Sequence, residues 1–216
     1  MENIKDKHVV IVGAGASVSN YKNDILKHIS QNNALTIGIN FMTSLCIPDY
    51  HLWTNKKRYI SQHSCINKKS KLLFGSGISD SLIKKYWHGD YIRVNYISKE
   101  SKPISYIDGV IYGYYRTAGV LAVMLAHIKK ARKIDIVGMD GYTFYSKKSL
   151  KNKKESHHCY GKGYTDYANW DKCLLKDKQV DDNLHKLKQY GVEFSIITPT
   201  KFIDFYGQTI LGVLDE

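Results

Sequence analysis

The sequence predicts an α/β fold, in which a single Rossmann-like domain spans residues 1–216 and helices cover a mostly parallel sheet. Short apolar runs alternate with helix-favouring stretches, an order typical of parallel sheets buried on both faces. The first run, His8–Val12, stops at a glycine-rich turn, and a later run over residues 134–137 stops at Gly138. A chain of 216 residues is long enough to build the core of one domain with an appended lid.

The predicted elements follow one another along the chain. Strand His8–Val12 is followed by a helix over 19–30 and by strands at Leu35–Ile39, 50–54, 71–74 and 91–97. The run Ala118–Ile128 is rich in Ala, Leu and Met, which favour helix, and it leads into the strand over 134–137. A helix over 179–190 ends at Gly191, a common C-terminal cap, before the last strand over 193–197.

Residues 141–178 show little apolar periodicity and contain many Lys, Tyr, His and Gly residues. Such a long irregular stretch inside a domain is usually either a functional lid or disordered, and its Tyr and His residues favour a lid. We therefore expect a lid over 141–178. In parallel sheets, ligands bind outside the carboxyl ends of the strands, so functional residues are expected in the loops that follow the strands.

The net charge of +12 and the pI near 9.4 indicate a polyanionic partner. A phosphorylated substrate, an anionic membrane surface and nucleic acid all fit. No apolar stretch is long enough to span a bilayer, and the first residues lack a signal-peptide core. We expect a cytoplasmic protein that could also lie at the inner membrane surface. Its four cysteines form no Cys-x-x-Cys pair, so neither a zinc motif nor a disulfide framework is indicated.

The glycine-rich turn contains Gly13, Gly15 and Ser17 and resembles a nucleotide phosphate site. Glycines let a backbone approach a ligand closely, and the first amides of the following helix attract anions. The dinucleotide fingerprint would need a glycine at Val18 and an acid at Asn40, which disfavours NAD. The alternative is that the turn simply connects a strand to a helix.

Two further loops carry groups that could bind the same ligand. Arg116 stands at a helix start, where it could hold a phosphate or carboxylate beside the helix amides. Alternatively, Thr117 is only an N-cap and Arg116 a surface residue. Asp140, between Gly138 and Tyr142, could contact ribose hydroxyls, bind a metal or cap its loop.

The third group lies in the predicted lid, where His158, Tyr160 and Lys162 are close in sequence. A histidine can remove a proton from a hydroxyl acceptor, and tyrosine and lysine can stabilise a departing phosphate. Metal binding is a weaker interpretation, because adjacent histidines on one chain segment rarely point at one ion. A polar surface loop is the structural alternative.

Taken in order, these motifs resemble the bacterial lipo-oligosaccharide sialyltransferases of glycosyltransferase family 42 and, more distantly, pterin-diphosphokinase-like proteins with the same opening. The family implies a metal-free site for a CMP-activated acidic sugar. Residues expected by position to contact the nucleotide are Gly13, Gly15, Ser17, Asn40, Thr54, Asn55, Ala118, Gly119, Gly138, Asp140 and Tyr142. Tyr160 and Tyr164 would steady the leaving phosphate, and a lid histidine would deprotonate the acceptor. When the sequences are aligned on Gly161, Lys162 takes the place of the family's histidine, so His158 or His157 is the candidate base.

The function expected from these observations is metal-independent transfer of a sugar from a nucleotide donor to a hydroxyl acceptor. His158 would act as the base, while Tyr160, Lys162 and Arg116 would neutralise the leaving phosphate. The favoured acceptor is an anionic glycan or glycolipid, with nucleic acid as the less favoured partner. A homo-oligomer is compatible with the sequence. The alternatives are an ATP- and Mg²⁺-dependent diphosphokinase-like phosphotransferase and a non-catalytic module that binds nucleotides or nucleic acid.

Overall fold

The computed structural model describes residues 1–41, 45–144, 158–160, 170–207 and 210. Its strands are β1 (His8–Val12), β2 (Leu35–Ile39), β3 (Tyr50–Trp53), β4 (Lys71–Gly75), β5 (Tyr91–Val94), β6 (Tyr96–Ser98), β7 (Ser105–Ile107), β8 (Val110–Gly113), β9 (Lys133–Val137) and β10 (Ser195–Ile196). Seven of them form a sheet in the order β10-β9-β1-β2-β3-β4-β5, and every neighbouring pair is parallel. The predicted Rossmann-like α/β class is confirmed.

Helices cover both faces of this sheet. They are α1 (Ser17–Asn20), α2 (Lys22–Gln31), α3 (Lys56–Gln62), α4 (Asp80–Tyr86), α5 (Ala118–Ile128) and α6 (Trp170–Gln189). Val9 and Ile11 pack in the same cluster as α5 and α6, whereas Val10 and Val12 pack with residues of α1 and α2. Because successive strand residues point to opposite faces, a fully apolar β1 can support both layers. Among the described helices, none combines the length and the apolar character needed to cross a bilayer.

The structure corrects three predicted boundaries. The single helix expected over 19–30 is two helices, α1 and α2, separated at Tyr21 (φ −118°, ψ 30°). The strand expected over 91–97 is divided at Asn95, because β5 joins the large sheet and β6 joins a three-stranded sheet with β8 and β7. The last helix begins at Trp170 rather than at residue 179.

The predicted lid over 141–178 is described only in part. Residues 145–157 and 161–169, which include His157, Lys162 and Tyr164, lie outside the described residues. Residues 170–178 form the first half of α6, so the irregular structure expected there is helical. The lid itself stays a prediction.

The strand order places a crevice beside β1. From β1 the chain moves outward through β2, β3, β4 and β5, and then returns to β9 on the other side of β1. At such a switch point the loops that leave the two strands diverge, and ligands bind between them. The loops here begin at Gly13 and Gly138.

Candidate functional site

A cavity of about 430 Å³ lies at the carboxyl ends of the parallel strands, within the usual size range for small-ligand sites. Twelve predicted site residues line it: Gly13, Gly15, Asn40, Thr54, Asn55, Arg116, Ala118, Gly119, Gly138, Asp140, Tyr142 and His158. The lining also contains Arg58 and Lys176, which the sequence pattern did not indicate. The tertiary structure therefore brings together predicted residues from six separate parts of the chain.

The glycines of the first turn allow two loops to pack against each other. The amide of Gly13 donates to the carbonyl of Val137 (2.8 Å), and that of Gly15 donates to the carbonyl of Gly138 (3.0 Å). A Cβ atom at Gly13 would lie 2.5 Å from the carbonyl oxygen of Gly138, and Gly138 itself has φ +72°. The space that these glycines leave is filled by protein, whereas the sequence had suggested close approach of a ligand.

The carboxylate of Asp140 lies at the N-terminus of α1. Its carboxylate accepts hydrogen bonds from the amide of Ser17 (2.9 Å), the hydroxyl of Ser17 (2.5 Å) and the amide of Ala16. This carboxylate takes the place expected for a ligand anion, and the fully buried Ser17 is not among the cavity-lining residues. Burial raises the pKa of Asp140 to about 6, and the hydrogen bonds from Ser17 and Ala16 oppose the rise.

Three cationic side chains, Arg58, Arg116 and Lys176, line the cavity. Burial lowers the pKa of Lys176, and the charges of Arg116 and Arg58 contribute to this lowering. Burial raises the pKa of Tyr142, and the same two arginines oppose that rise. The Nζ of Lys176 lies 5.0 Å from the centre of the Tyr142 ring. Since Asp140 is the one carboxylate among the described lining residues, the cavity is electropositive and suits an anionic ligand.

Helix α6 positions two of these lining residues through buried polar side chains. Asp177 accepts hydrogen bonds from the amides of Tyr142 (2.6 Å) and Thr143 (2.9 Å). The Asn183 side chain accepts from the amide of Arg116 (2.8 Å). Within the described part of the chain, Nε of Arg116 is buried and has no hydrogen-bond partner. Arg116 is therefore held by its backbone while its guanidinium keeps a donor unused.

At the start of α5, Thr117 is an N-cap and Arg116 also lines the cavity, so both interpretations of this motif apply. Thr117 is the N-cap, and its hydroxyl accepts a hydrogen bond from the amide of Val120 (3.3 Å). Arg116 is half-buried and lines the cavity together with Ala118 and Gly119. The cap fixes the first turn of an eleven-residue helix beside the cations, where the positive end of its dipole adds to their field.

The described part of the predicted lid lies against the glycine-rich turn. His158 forms an antiparallel bridge with Gly15, and the amide of Cys159 donates to the carbonyl of Ala14 (3.0 Å). Nδ1 of His158 lies 3.3 Å from the same carbonyl oxygen. Because a carbonyl only accepts, Nδ1 carries the proton in this arrangement, and Nε2 is the basic nitrogen of the neutral ring.

Tyr160 connects His158 to a cation on another element. The two rings stack with centroids 4.8 Å apart at 9°, and Phe41 packs edge-on against Tyr160 at 4.8 Å. Nη1 of Arg58 donates to the Tyr160 hydroxyl (3.0 Å). Tyr160 itself is not among the cavity-lining residues, so it supports His158 and Arg58 from behind.

Asn40 directly follows β2 and has a left-handed conformation (φ +48°), which asparagine tolerates better than most residues. Nε2 of His51 donates to its carbonyl oxygen (2.5 Å), and its side-chain oxygen accepts from the amide of Thr54 (3.5 Å). Burial lowers the pKa of His51 to about 4, so the ring is neutral at pH 7. His51 thereby holds Asn40 at the cavity without adding charge.

A local signal could have identified Arg58. Asn55 is the second residue after β3, and its side chain accepts a hydrogen bond from the amide of Arg58 (3.0 Å), as an N-cap does. This capping pattern predicts a helix whose first turn carries Arg58 to the strand ends.

No protein-family model matches the chain, and no curated protein matches it. The likeness to the sialyltransferases thus rests on the motifs alone. The fold and the site define the class: a Rossmann-like α/β protein with an electropositive cavity and a histidine at the carboxyl ends of its strands.

Proposed function

We propose that this protein is a metal-independent glycosyltransferase that moves a sugar from a nucleotide donor to a hydroxyl acceptor. One observation carries the proposal: His158 and three cations, Arg58, Arg116 and Lys176, converge on a single cavity. This set provides both a candidate base and a counter-charge for a leaving phosphate. The motif resemblance further favours a CMP-linked acidic sugar as the donor and an anionic glycan or glycolipid as the acceptor.

The cavity offers more positive charge than one phosphate requires. A CMP-linked acidic sugar has a phosphodiester and a carboxylate, and both can be paired with guanidinium groups. Arg116, whose Nε donor is unused, directly precedes the N-cap of α5, and both Arg116 and the first turn of α5 line the same cavity. We assign the phosphate to this side and the sugar carboxylate to Arg58, next to Tyr160.

The proposed reaction is a single displacement with inversion. The acceptor oxygen forms a bond to the anomeric carbon while the bond from that carbon to the phosphate oxygen breaks. The electron pair of the broken bond leaves with the nucleotide, whose charge Arg116 and Lys176 neutralise. The acceptor proton passes to Nε2 of His158, and the contact of Nδ1 with Ala14 orients the ring for this transfer. Lys162 keeps its proposed supporting role, although it lies outside the described residues.

The hydrogen bonds of the carboxylates near the cavity favour the metal-independent transferase over the Mg²⁺-dependent phosphotransferase. Mg²⁺ at nucleotide phosphates is usually held by one or two available carboxylates. Asp140 is already engaged by Ser17 and Ala16. Asp177 accepts bonds from Tyr142 and Thr143 and lies 3.4 Å from Nζ of Lys201. Either carboxylate would have to give up these partners in order to bind the ion.

Ligand-induced stabilisation tests the nucleotide specificity. The melting temperature of the purified protein is measured with CMP, CDP, UDP, GDP, ATP and NAD, each in EDTA and in Mg²⁺. A ligand at about 100 times its dissociation constant adds about 2.7 kcal/mol, which a thermal shift detects. We expect CMP or CDP to stabilise the protein in EDTA. Stabilisation only by ATP with Mg²⁺ would support the phosphotransferase, and no shift with any nucleotide would reject the proposal.

The base assignment is tested by His158→Ala. Loss of a general base should lower the turnover of a CMP-sugar donor by about 10²- to 10⁴-fold. The CMP-induced thermal shift should change little, because the three cations remain. His88→Ala is the matched control, since His88 is exposed and does not line the cavity. Unchanged turnover in His158→Ala would remove His158 from the reaction.

A further inference from the structure

A second cluster of chemically active side chains lies at the other end of the sheet. His8 begins β1, Asp135 lies in β9, and His28 comes from the last turn of α2. Nε2 of His8 lies 2.6 Å, and Nε2 of His28 2.9 Å, from the same carboxylate oxygen, Oδ2 of Asp135. One ligand atom from each of the three residues lies within 4.8 Å of the others.

The burial of Asp135 is a second observation that points to a ligand. Its side chain is fully buried, and within the described residues its Oδ1 atom has no hydrogen-bond partner. A buried carboxylate oxygen without a donor is costly, unless a cation or water satisfies it. His8 is also buried, whereas the His28 side chain is 17% exposed. Solvent can therefore reach the cluster along α2.

We propose that His8, His28 and Asp135 bind a divalent transition-metal ion, with Zn²⁺ as the best fit. Two imidazole nitrogens and a carboxylate oxygen are typical Zn²⁺ ligands, and water would supply the fourth position on the His28 side. The ion would hold α2 against β1 and β9. This site is independent of the proposed transferase reaction, because His8 and the glycine-rich turn are separated by the length of β1, about 13 Å.

The present spacing requires a small adjustment. In a tetrahedral Zn²⁺ site with bonds of 2.0–2.1 Å, neighbouring ligand atoms are about 3.3 Å apart. The two histidine nitrogens now lie at hydrogen-bond distance from Oδ2 of Asp135. The distance to Oδ2 must open by about 0.7 Å for His8 and by about 0.4 Å for His28, which is partly exposed and has more room to move.

Lys133 provides an internal competitor for this site. Its Nζ lies 3.1 Å from Oδ2 of Asp135, and its side chain is 54% exposed. When the ion binds, the ammonium group must swing out into solvent. Even after this displacement, the ammonium charge lies near the ion. At a distance of about 5 Å, it weakens the binding of a divalent ion by about tenfold, even at a water-like dielectric constant. Removal of Lys133 should therefore tighten Zn²⁺ binding.

The test is a calorimetric titration of the EDTA-treated, dialysed full chain with Zn²⁺, repeated with Co²⁺ and followed by visible absorption. His28→Gln should lose one equivalent of Zn²⁺ and the tetrahedral Co²⁺ spectrum. Lys133→Ala should bind this equivalent about tenfold more tightly than wild type. His185→Gln is the control, because this partly exposed histidine lies on α6 and pairs with Asp204 instead.

The proposal also predicts a stability effect. A saturating Zn²⁺ concentration, about 100 times the dissociation constant, should raise the melting temperature of wild type by about 5 °C or more but not that of His28→Gln. Equal Zn²⁺ uptake by wild type and His28→Gln would overturn the proposal, as would failure of wild type to take up Zn²⁺. The CMP-induced rise in melting temperature of His28→Gln is expected to equal that of wild type. The Zn²⁺ result is therefore independent of whether the transferase proposal holds.

Discussion

Replacement of Asp140 by asparagine should make the protein less sensitive to pH. Burial raises the pKa of this carboxyl from 3.8 to about 6, so the folded state favours the protonated form. Asparagine has nearly the same shape, and its side-chain oxygen can still accept the hydrogen bond from the amide of Ser17. Its NH₂ group can donate to the Ser17 hydroxyl, which lies 3.2 Å from the Thr198 hydroxyl and can turn its proton towards it.

The size of the effect follows from the shift in pKa. A shift of about 2 units corresponds to about 3 kcal/mol. Since the folded-state pKa is raised, the stabilising contribution of Asp140 is fully present below pH 3.8 and is lost as the pH rises through 6. The free energy of unfolding of wild type minus that of Asp140→Asn should therefore fall by about 2 kcal/mol between pH 4 and pH 7.

The assay is urea denaturation at half-unit pH steps, followed by circular dichroism, for both proteins in the same buffers. All other titrating groups are shared, so their contributions largely cancel in the difference. Asp24→Asn, which removes an exposed carboxylate from α2, controls for the change in net charge. A difference that stays constant within about 0.5 kcal/mol, or one that grows with pH, would refute the assignment of a desolvated carboxylate to position 140.

Two further predictions concern the glycine-rich turn and the phosphate side of the cavity. Gly13→Ala should destabilise the protein by about 3 kcal/mol in chemical denaturation, because its Cβ would meet the carbonyl of Gly138 at 2.5 Å and two paired strands hold both backbones. A loss below about 0.5 kcal/mol would contradict this close packing. Arg116→Gln should weaken CMP binding by about 10- to 100-fold in calorimetry and reduce its salt dependence, since a charge-assisted hydrogen bond is lost. Affinity equal to that of wild type would place the phosphate elsewhere.

The regular elements were predictable where one local pattern dominated. His8–Val12, Leu35–Ile39 and Ala118–Ile128 occupy the predicted positions, because each is a mostly apolar run in which most residues are buried. Helix α6 was recognised only in its second half. Its buried stripe includes Asp177 and Asn183, and these polar side chains interrupt the apolar periodicity from which a helix is predicted.

The candidate site, too, was predictable only in part. Motifs at strand ends could be assigned to one edge of the sheet, because parallel strands carry their carboxyl ends together. The roles of individual groups could not be assigned in this way. Nothing local in the sequence indicates that Asp140 fills the start of α1, or that Gly13 faces Gly138, since these contacts join segments more than a hundred residues apart.

By itself, the sequence determined the α/β class, the parallel character of the main sheet and the edge where polar loops gather. These depend on local apolar periodicity and on the rule that connects parallel strands through helices. Only the tertiary structure decided which charges share the cavity, which carboxylates are already satisfied, and that His8, His28 and Asp135 meet at the far end of the sheet. Distance, burial and hydrogen-bond partners are properties of the packed chain, and local patterns do not contain them.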